Sequence, residues 1–191
     1  MKEDQKRWEF KYRGGEFDPH REPSSILRKN IGLFPRGKAL DLAAGEGRNA
    51  IFLAERGFEV EAVDISRTAL RRTKKAGRAR GVEIKTLAAD LDSFVIPKGR
   101  YDLILDFYFL DRRLVRGIKR GLKKKGMVLF ETYTTGQQDL APGGPSKERY
   151  LLKPNELLRL FRGFHILFYR EGIVREGGKR RAIASLIAKK A

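Results

Sequence analysis

The sequence predicts an α/β fold: a parallel sheet covered by helices on both faces. Three observations carry that expectation. From Lys38 onward, short apolar runs alternate with amphipathic helical stretches along most of the chain. The run 38–42 enters a glycine-rich turn, GEGRN, and then a helix, the usual layout of a strand feeding a ligand-binding loop. The last two apolar runs are joined by a loop too short for a helical crossover, so they form an antiparallel pair.

Taken in order, residues 1–34 read as an arm. Trp8, Phe10, Tyr12 and Phe17 are interleaved with charges, and GGEFDPHREP breaks any long helix. Ser24–Ile31 reads as a short helix starting near Pro23 or Ser24. Then follow strand 38–42, helix 48–56, strand 59–64, helix 66–79 capped by Ser66, and strand 82–87. Strand 101–106 leads into helix 110–121, whose Leu110, Leu114, Val115 and Ile118 share one face. Strand 126–132, helix 154–161 and strands 165–170 and 180–188 complete the series, with Glu171–Lys179 joining the last two. The segment Tyr133–Tyr150 is the longest without pattern, and loops of that length usually function or move.

Composition narrows the chemistry. The 191 residues make one domain plus a short arm. Cysteine is absent, which removes disulfides, thiolate metal sites and thiol nucleophiles, and two histidines cannot build a histidine-rich metal centre. No apolar run reaches the ~18 residues of a membrane span, and MKEDQKRWEF is not a secretion signal, so a cytoplasmic protein is expected. The net charge of +18 suits nucleic acid, an anionic substrate or plain solubility. Abundant charge with little Asn, Gln and Met fits a heat-adapted source.

The ligand of the glycine turn is the central question. Gly45-Glu46-Gly47-Arg48-Asn49-Ala50 satisfies the dinucleotide fingerprint, and Asp64 stands about where a ribose-binding acid should. A nicotinamide or flavin enzyme is therefore one reading. Asp41 opposes it, because a carboxylate at the strand end repels a diphosphate and attracts a cation. S-adenosylmethionine carries two cations, an ammonium and a sulfonium. Its carboxylate can meet the backbone N–H groups of the turn and the N-terminus of helix 48–56. Asp64 can accept both ribose hydroxyls, and Asp90 can hydrogen-bond an adenine amino group with Leu91 beside the ring. Strand-terminal aspartates also shape turns, and Asp106 divides evenly between facing the cofactor and starting the next helix.

DLAAGEGRN, AVDIS and AADL together resemble a class I S-adenosylmethionine-dependent methyltransferase. GEGRNAIFLAERGFEVEAVDIS and LKPNELLRLFRGFHILFYREG are further similar to the tellurite-resistance and thiopurine methyltransferase group. The resemblance spans roughly residues 24–191. It implies a Rossmann-like seven-stranded sheet, order 3-2-1-4-5-7-6 with strand 7 antiparallel. It also implies cofactor positions at Asp41, Ala43, Gly45, Gly47, Arg48, Asn49, Asp64, Ile65, Asp90, Leu91 and Asp106. Ala43 departs from a frequent glycine, and it fits only with a negative or modestly strained φ. In this scheme residues 1–34 pack over the cofactor and substrate site, and 35–191 form the methyltransferase domain.

Methyl transfer from a sulfonium is an in-line displacement with a good leaving group, so alignment and exclusion of water dominate. A catalytic base is optional, and the sequence singles out none. Substrate candidates are Tyr12, Arg13, Phe107, Tyr133 and Arg175, with His20, Tyr108, Glu131 and Arg180 behind them. The expected acceptor is a small molecule: a thiol, a chalcogen oxyanion or a metabolite. RNA or protein is the alternative, supported by the charge. Against it, the amine-methylating Asn/Asp-Pro-Pro-Tyr/Phe pattern is replaced by DFYF, and a pyrimidine C5 enzyme would need a cysteine. A monomer or homodimer is expected, and no metal.

Overall fold

The computed structural model describes residues 2–15, 18, 21–140, 144–145, 147–176 and 178–191. Seven strands form one sheet: β1 Lys38–Leu42, β2 Glu59–Asp64, β3 Lys85–Ala88, β4 Tyr101–Phe107, β5 Leu122–Tyr133, β6 Phe164–Glu176 and β7 Lys179–Lys190. Their spatial order is β3-β2-β1-β4-β5-β7-β6. The first five strands pair in parallel, while β7 runs antiparallel to β5 and β6. The expected sheet order and the reversed final strand are both present.

Side chains alternate across the pleat and divide the interior into two cores. Ala39, Leu103 and Leu105 face one side, where Ile51 and Leu53 of α3 (Arg48–Ala54) and Leu70 and Ala76 of α4 (Arg67–Ala79) cover them. Leu40, Leu42, Ile104 and Val128 face the other. There α5 (Leu114–Gly121) supplies Val115 and Ile118, and α6 (Glu156–Leu160) with the residue after it supplies Leu157 and Phe161. The same alternation sends Asp41 and Asp106 to opposite faces at the sheet crest.

Several boundaries shift for local reasons. The stretch 82–84 is a connection, because Val82 N–H bonds the Gly77 carbonyl and closes α4. The helix expected from 110 begins at Leu114, since Asp111 first folds a turn by accepting the Arg113 N–H at 2.9 Å. The strand expected from 126 begins at Leu122, with an irregularity at Lys125, whose φ is 63°. The loop expected over 171–179 is mostly strand: β6 runs to Glu176, β7 begins at Lys179, and Gly178 lies in a turn.

The largest difference lies in the arm. Lys2–Gly14 is a helix, α1, followed later by α2 at Ser25–Lys29. α1 has no apolar stripe. Acids in its first turn and cations in its last suit the helix dipole. Arg7–Asp4 and Arg13–Glu9 ion pairs and a Trp8–Tyr12 ring contact of 6.0 Å add the spacing of successive turns. Among the described residues, no helix is long and apolar enough to cross a membrane.

Candidate functional site

The C-terminal ends of β1, β2 and β4 bring three acids together. Asp41 is buried, with the Ala50 N–H on its carboxylate, yet its Oδ2 has no hydrogen-bond partner among the described residues. Burial pushes its pKa up to about 7; the Arg48 charge pulls it down and the Asp64 charge adds to the rise. Asp106 is also buried, its Oδ1 likewise without a partner. Burial first and the Asp41 charge second hold it well above the ordinary carboxylate range. Asp64 is raised by burial too, although Gly45 N–H and Ser66 N–H each reach one of its oxygens at 2.8 Å.

The turn between β1 and α3 winds through left-handed backbone at alternate residues: φ is 50° at Ala43, 56° at Gly45 and 77° at Gly47. Ala43 thus takes the strained option, at a cost of about 1 kcal/mol. A Cβ on Gly47 would lie 2.3 Å from the Thr73 methyl, and one on Gly45 would lie 2.7 Å from the Tyr12 hydroxyl. Only glycine fits either place. Thr73 Oγ1 donates to the Gly45 carbonyl at 3.2 Å and fixes the turn against α4. Asn49 is buried and accepts the Ser24 N–H at 2.9 Å, so its carbonyl ties the turn to the start of α2. Arg48 reaches the Glu22 carbonyl at 3.4 Å.

Ile65 follows Asp64 and is half-buried, and Leu91 is buried in the second core. Asp90 bends its own loop: the Asp92 N–H bonds its carboxylate at 3.0 Å. Local turn shaping is therefore one job Asp90 performs.

α1 lies across the end of β2. Glu9 accepts from Ser66 Oγ at 2.7 Å and from the Thr68 N–H at 3.3 Å, and also bonds the Thr68 hydroxyl, at the N-terminus of α4. The Thr68 and Ser66 bonds, with Arg13 nearby, hold its pKa down at about 2 against a smaller burial effect. Tyr12 sits over Gly45, where burial first and then the Asp64 and Glu46 charges raise its phenol. Arg13 turns outward and pairs with Glu9 at 3.4 Å. Phe17 and His20 lie outside the described residues.

A second polar group gathers beyond β4 and β5. Tyr108 takes a left-handed φ of 60°, uncommon for an aromatic residue and a frequent mark of a working position. Its hydroxyl bonds Glu131 Oε1 at 3.3 Å, and Arg181 donates to that hydroxyl at 3.1 Å. Glu131 is buried and receives Ser185 Oγ at 2.7 Å, with the Arg170 guanidinium 3.8 Å away. Tyr133 faces Tyr108 at 5.1 Å between centroids, while Phe107 is buried in the first core. Arg175 and Arg180 pair across the hairpin end and are exposed. The arginines brought to the cluster are Arg181 and Arg170, both of which sequence reasoning passed over. Period-two spacing of Arg181, Ile183 and Ser185 on β7, with two polar members, was the available signal.

Residues 39–126 match the family described as a methyltransferase domain. A curated 23S rRNA (uracil(747)-C(5))-methyltransferase of Pyrococcus abyssi is 32% identical over 82 residues, covering 42% of this chain and 20% of that protein. Among solved structures, TehB from Haemophilus influenzae superposes with a TM-score of 0.77 at 19% identity, over 88% of this chain and 63% of that one. A protein solved in work on the conversion of a disulfide bond into a thioacetal group during echinomycin biosynthesis gives 0.73 at 19% identity, over 98% and 93%. An S-adenosylmethionine-dependent methyltransferase from Mesorhizobium loti gives 0.68 at 20% identity, over 88% and 99%. The chain thus spans about a fifth of its curated relative and under two thirds of TehB. Domain and fold imply S-adenosylmethionine as the cofactor, and the residues fit it. Two buried carboxyl oxygens, one each on Asp41 and Asp106, have no partner among the described residues, which suits a cationic group. Residues 39–126 are thus similar to a methyltransferase domain, and the chain shares its fold with solved S-adenosylmethionine-dependent methyltransferases.

Proposed function

We propose that the chain is an S-adenosylmethionine-dependent methyltransferase acting on a small molecule: a thiol, a chalcogen oxyanion or a metabolite. The observation that carries the cofactor half is the pair of buried, incompletely bonded carboxylates, Asp41 and Asp106, at adjacent strand ends. The Asp41 charge is felt at Asp106, so a diphosphate would meet negative charge there, whereas an ammonium is attracted and draws both acids toward their ionised forms. In this reading Asp41 and Asp106 hold the amino-acid end against the turn of Ala43, Gly45, Gly47, Arg48 and Asn49. Asp64 takes the ribose hydroxyls with the lone pairs left by Gly45 and Ser66. Ile65 and Leu91 flank the adenine, and Asp90 borders it. When bound, the cofactor supplies an electrophilic methyl group on sulfur.

The acceptor half rests on the Tyr108 cluster. Glu131, supported by Ser185, holds the Tyr108 hydroxyl, and Arg181 brings a positive charge to the same oxygen. Such a group orients an acceptor and favours an anionic one, while Tyr133 walls the space. Tyr12 closes the site from the arm and excludes water. The small-molecule reading is supported by the resemblance to the tellurite-resistance and thiopurine group and by the thioacetal-forming neighbour. The rRNA methyltransferase similarity and the +18 charge favour RNA as the second reading, though no cysteine is present for C5 chemistry.

A methyl-transfer screen with labelled donor against thiols, selenite, tellurite, metabolite pools and total RNA decides the acceptor. Label in small products is expected, and label confined to RNA would overturn the reading. Asp64→Ala is expected to cost at least about 1.5 kcal/mol of S-adenosylhomocysteine binding by calorimetry. An unchanged affinity would remove Asp64 from the cofactor site.

A further inference from the structure

A cavity of about 420 Å³ adjoins the cofactor crevice at Arg48 and lies between the end of the arm and the outer face of α3. Its volume falls within the ~300–1,000 Å³ of small-molecule sites. Unlike most such sites, its lining is dominated by charge. Five guanidiniums line it, from Arg21, Arg28, Arg48, Arg56 and Arg80, against two carboxylates, Glu22 and Glu55. A solvated helix face accounts for Arg48 and Arg56, which share one side of α3 with Phe52 and Glu55. It does not account for Arg21 in the arm, Arg28 in α2 and Arg80 at the end of α4. Four separate segments bring cations to one concavity.

The guanidiniums are partly fixed. Arg56 lies over the Phe52 ring, 3.5 Å from its centroid, and donates to the Phe52 carbonyl at 3.1 Å. The bond to the carbonyl uses one of its five donors. Arg80 is held to Glu55 at 3.3 Å, and Arg48 to the Glu22 carbonyl at 3.4 Å. Held, forked cations in positive excess suit phosphate, and the excess of three over the carboxylates suits several phosphates rather than one. We propose that this cavity binds a ligand carrying adjacent phosphate groups. The source is either a free polyphosphate or the backbone of an RNA strand.

The test is calorimetric titration with sodium tripolyphosphate, with sulfate at matched ionic strength as the control. Saturable 1:1 binding of tripolyphosphate, at least about tenfold tighter than sulfate, is expected. The Arg28→Ala/Arg56→Ala variant should lose about tenfold or more while binding S-adenosylhomocysteine as the parent does. Arg28→Ala alone, an exposed side chain with no described partner, serves if the double variant folds poorly. Competition by an oligouridylate that the same substitutions weaken assigns the site to RNA, and its failure to compete assigns it to free polyphosphate. No saturable binding, equal affinity for sulfate, or an unaffected variant would each overturn the site. None of these readouts uses methyl transfer, so the outcome is independent of the acceptor question.

Discussion

Glu61 and Asp41 sit on neighbouring strands one step apart in register, and both are buried. Their surroundings differ. Around Glu61, burial works against the charge, but Arg100 at 2.8 Å, Tyr101 at 2.6 Å and Lys85 at 3.2 Å outweigh it and hold the pKa at about 2. Lys38 adds a further contact at 3.7 Å. Around Asp41 the balance is reversed: one oxygen lacks a partner and the pKa sits near 7. A buried acid whose partners are all supplied by the chain is a structural tie. One left incomplete at the crest is, in the proposed reading, the place for the ammonium of the ligand.

The comparison breaks most sharply at Glu61. Glu61→Gln should cost about 3 kcal/mol of unfolding free energy by urea titration, because three cations and the Tyr101 hydroxyl lose their anionic partner. S-adenosylhomocysteine affinity should be unchanged. A fall in affinity with little loss of stability would erase the distinction.

Asp41→Asn should do the opposite. A folded pKa raised from 3.8 to about 7 means that the folded state binds more protons than the unfolded chain in that window. Stability therefore falls as pH rises from about 4 to 7 and is flat above. The substitution removes that penalty, so at pH 8 the variant should gain on the order of 2 kcal/mol while losing S-adenosylhomocysteine binding about tenfold. In the parent, affinity should rise with pH through about 7 as Asp41 ionises, and a flat calorimetric profile from pH 5.5 to 8.5 would count against its contact with the ammonium.

The smallest effect concerns the turn that separates the two regions. Ala43→Gly relieves a left-handed alanine and should raise stability by about 0.5–1 kcal/mol in thermal melts. A destabilised variant would mean that the methyl group packs well enough to offset the strain.

The sheet was legible because each strand is an apolar run bounded by turn residues, and because the final hairpin loop was too short for a crossover. The crest acids were legible because they end those runs. α1 escaped notice because it is polar all round, so no 3.6-residue apolar period marks it. Its Glu9–Arg13 and Trp8–Tyr12 spacings were the only local sign. Arg181 escaped because neighbouring arginines at 175 and 180 look equivalent in sequence, and only the pairing of β7 with β5 distinguishes them. Asn49 and Asp90 read as ligand residues, yet in the structure Asn49 also ties its turn to the start of α2 and Asp90 shapes its own loop, uses that spacing does not reveal.

The attachment of α1 has a kinetic corollary. Its grip on α4 is made by a carboxylate on hydroxyls and an N–H at a helix start, with no oily seam beneath. Ionic clasps loosen as salt rises, whereas oily ones tighten. In the reading proposed above, in which Tyr12 closes the site, release of α1 and with it escape of the spent donor should therefore quicken in concentrated chloride, so that single-turnover and steady-state rates draw together there and diverge in dilute buffer.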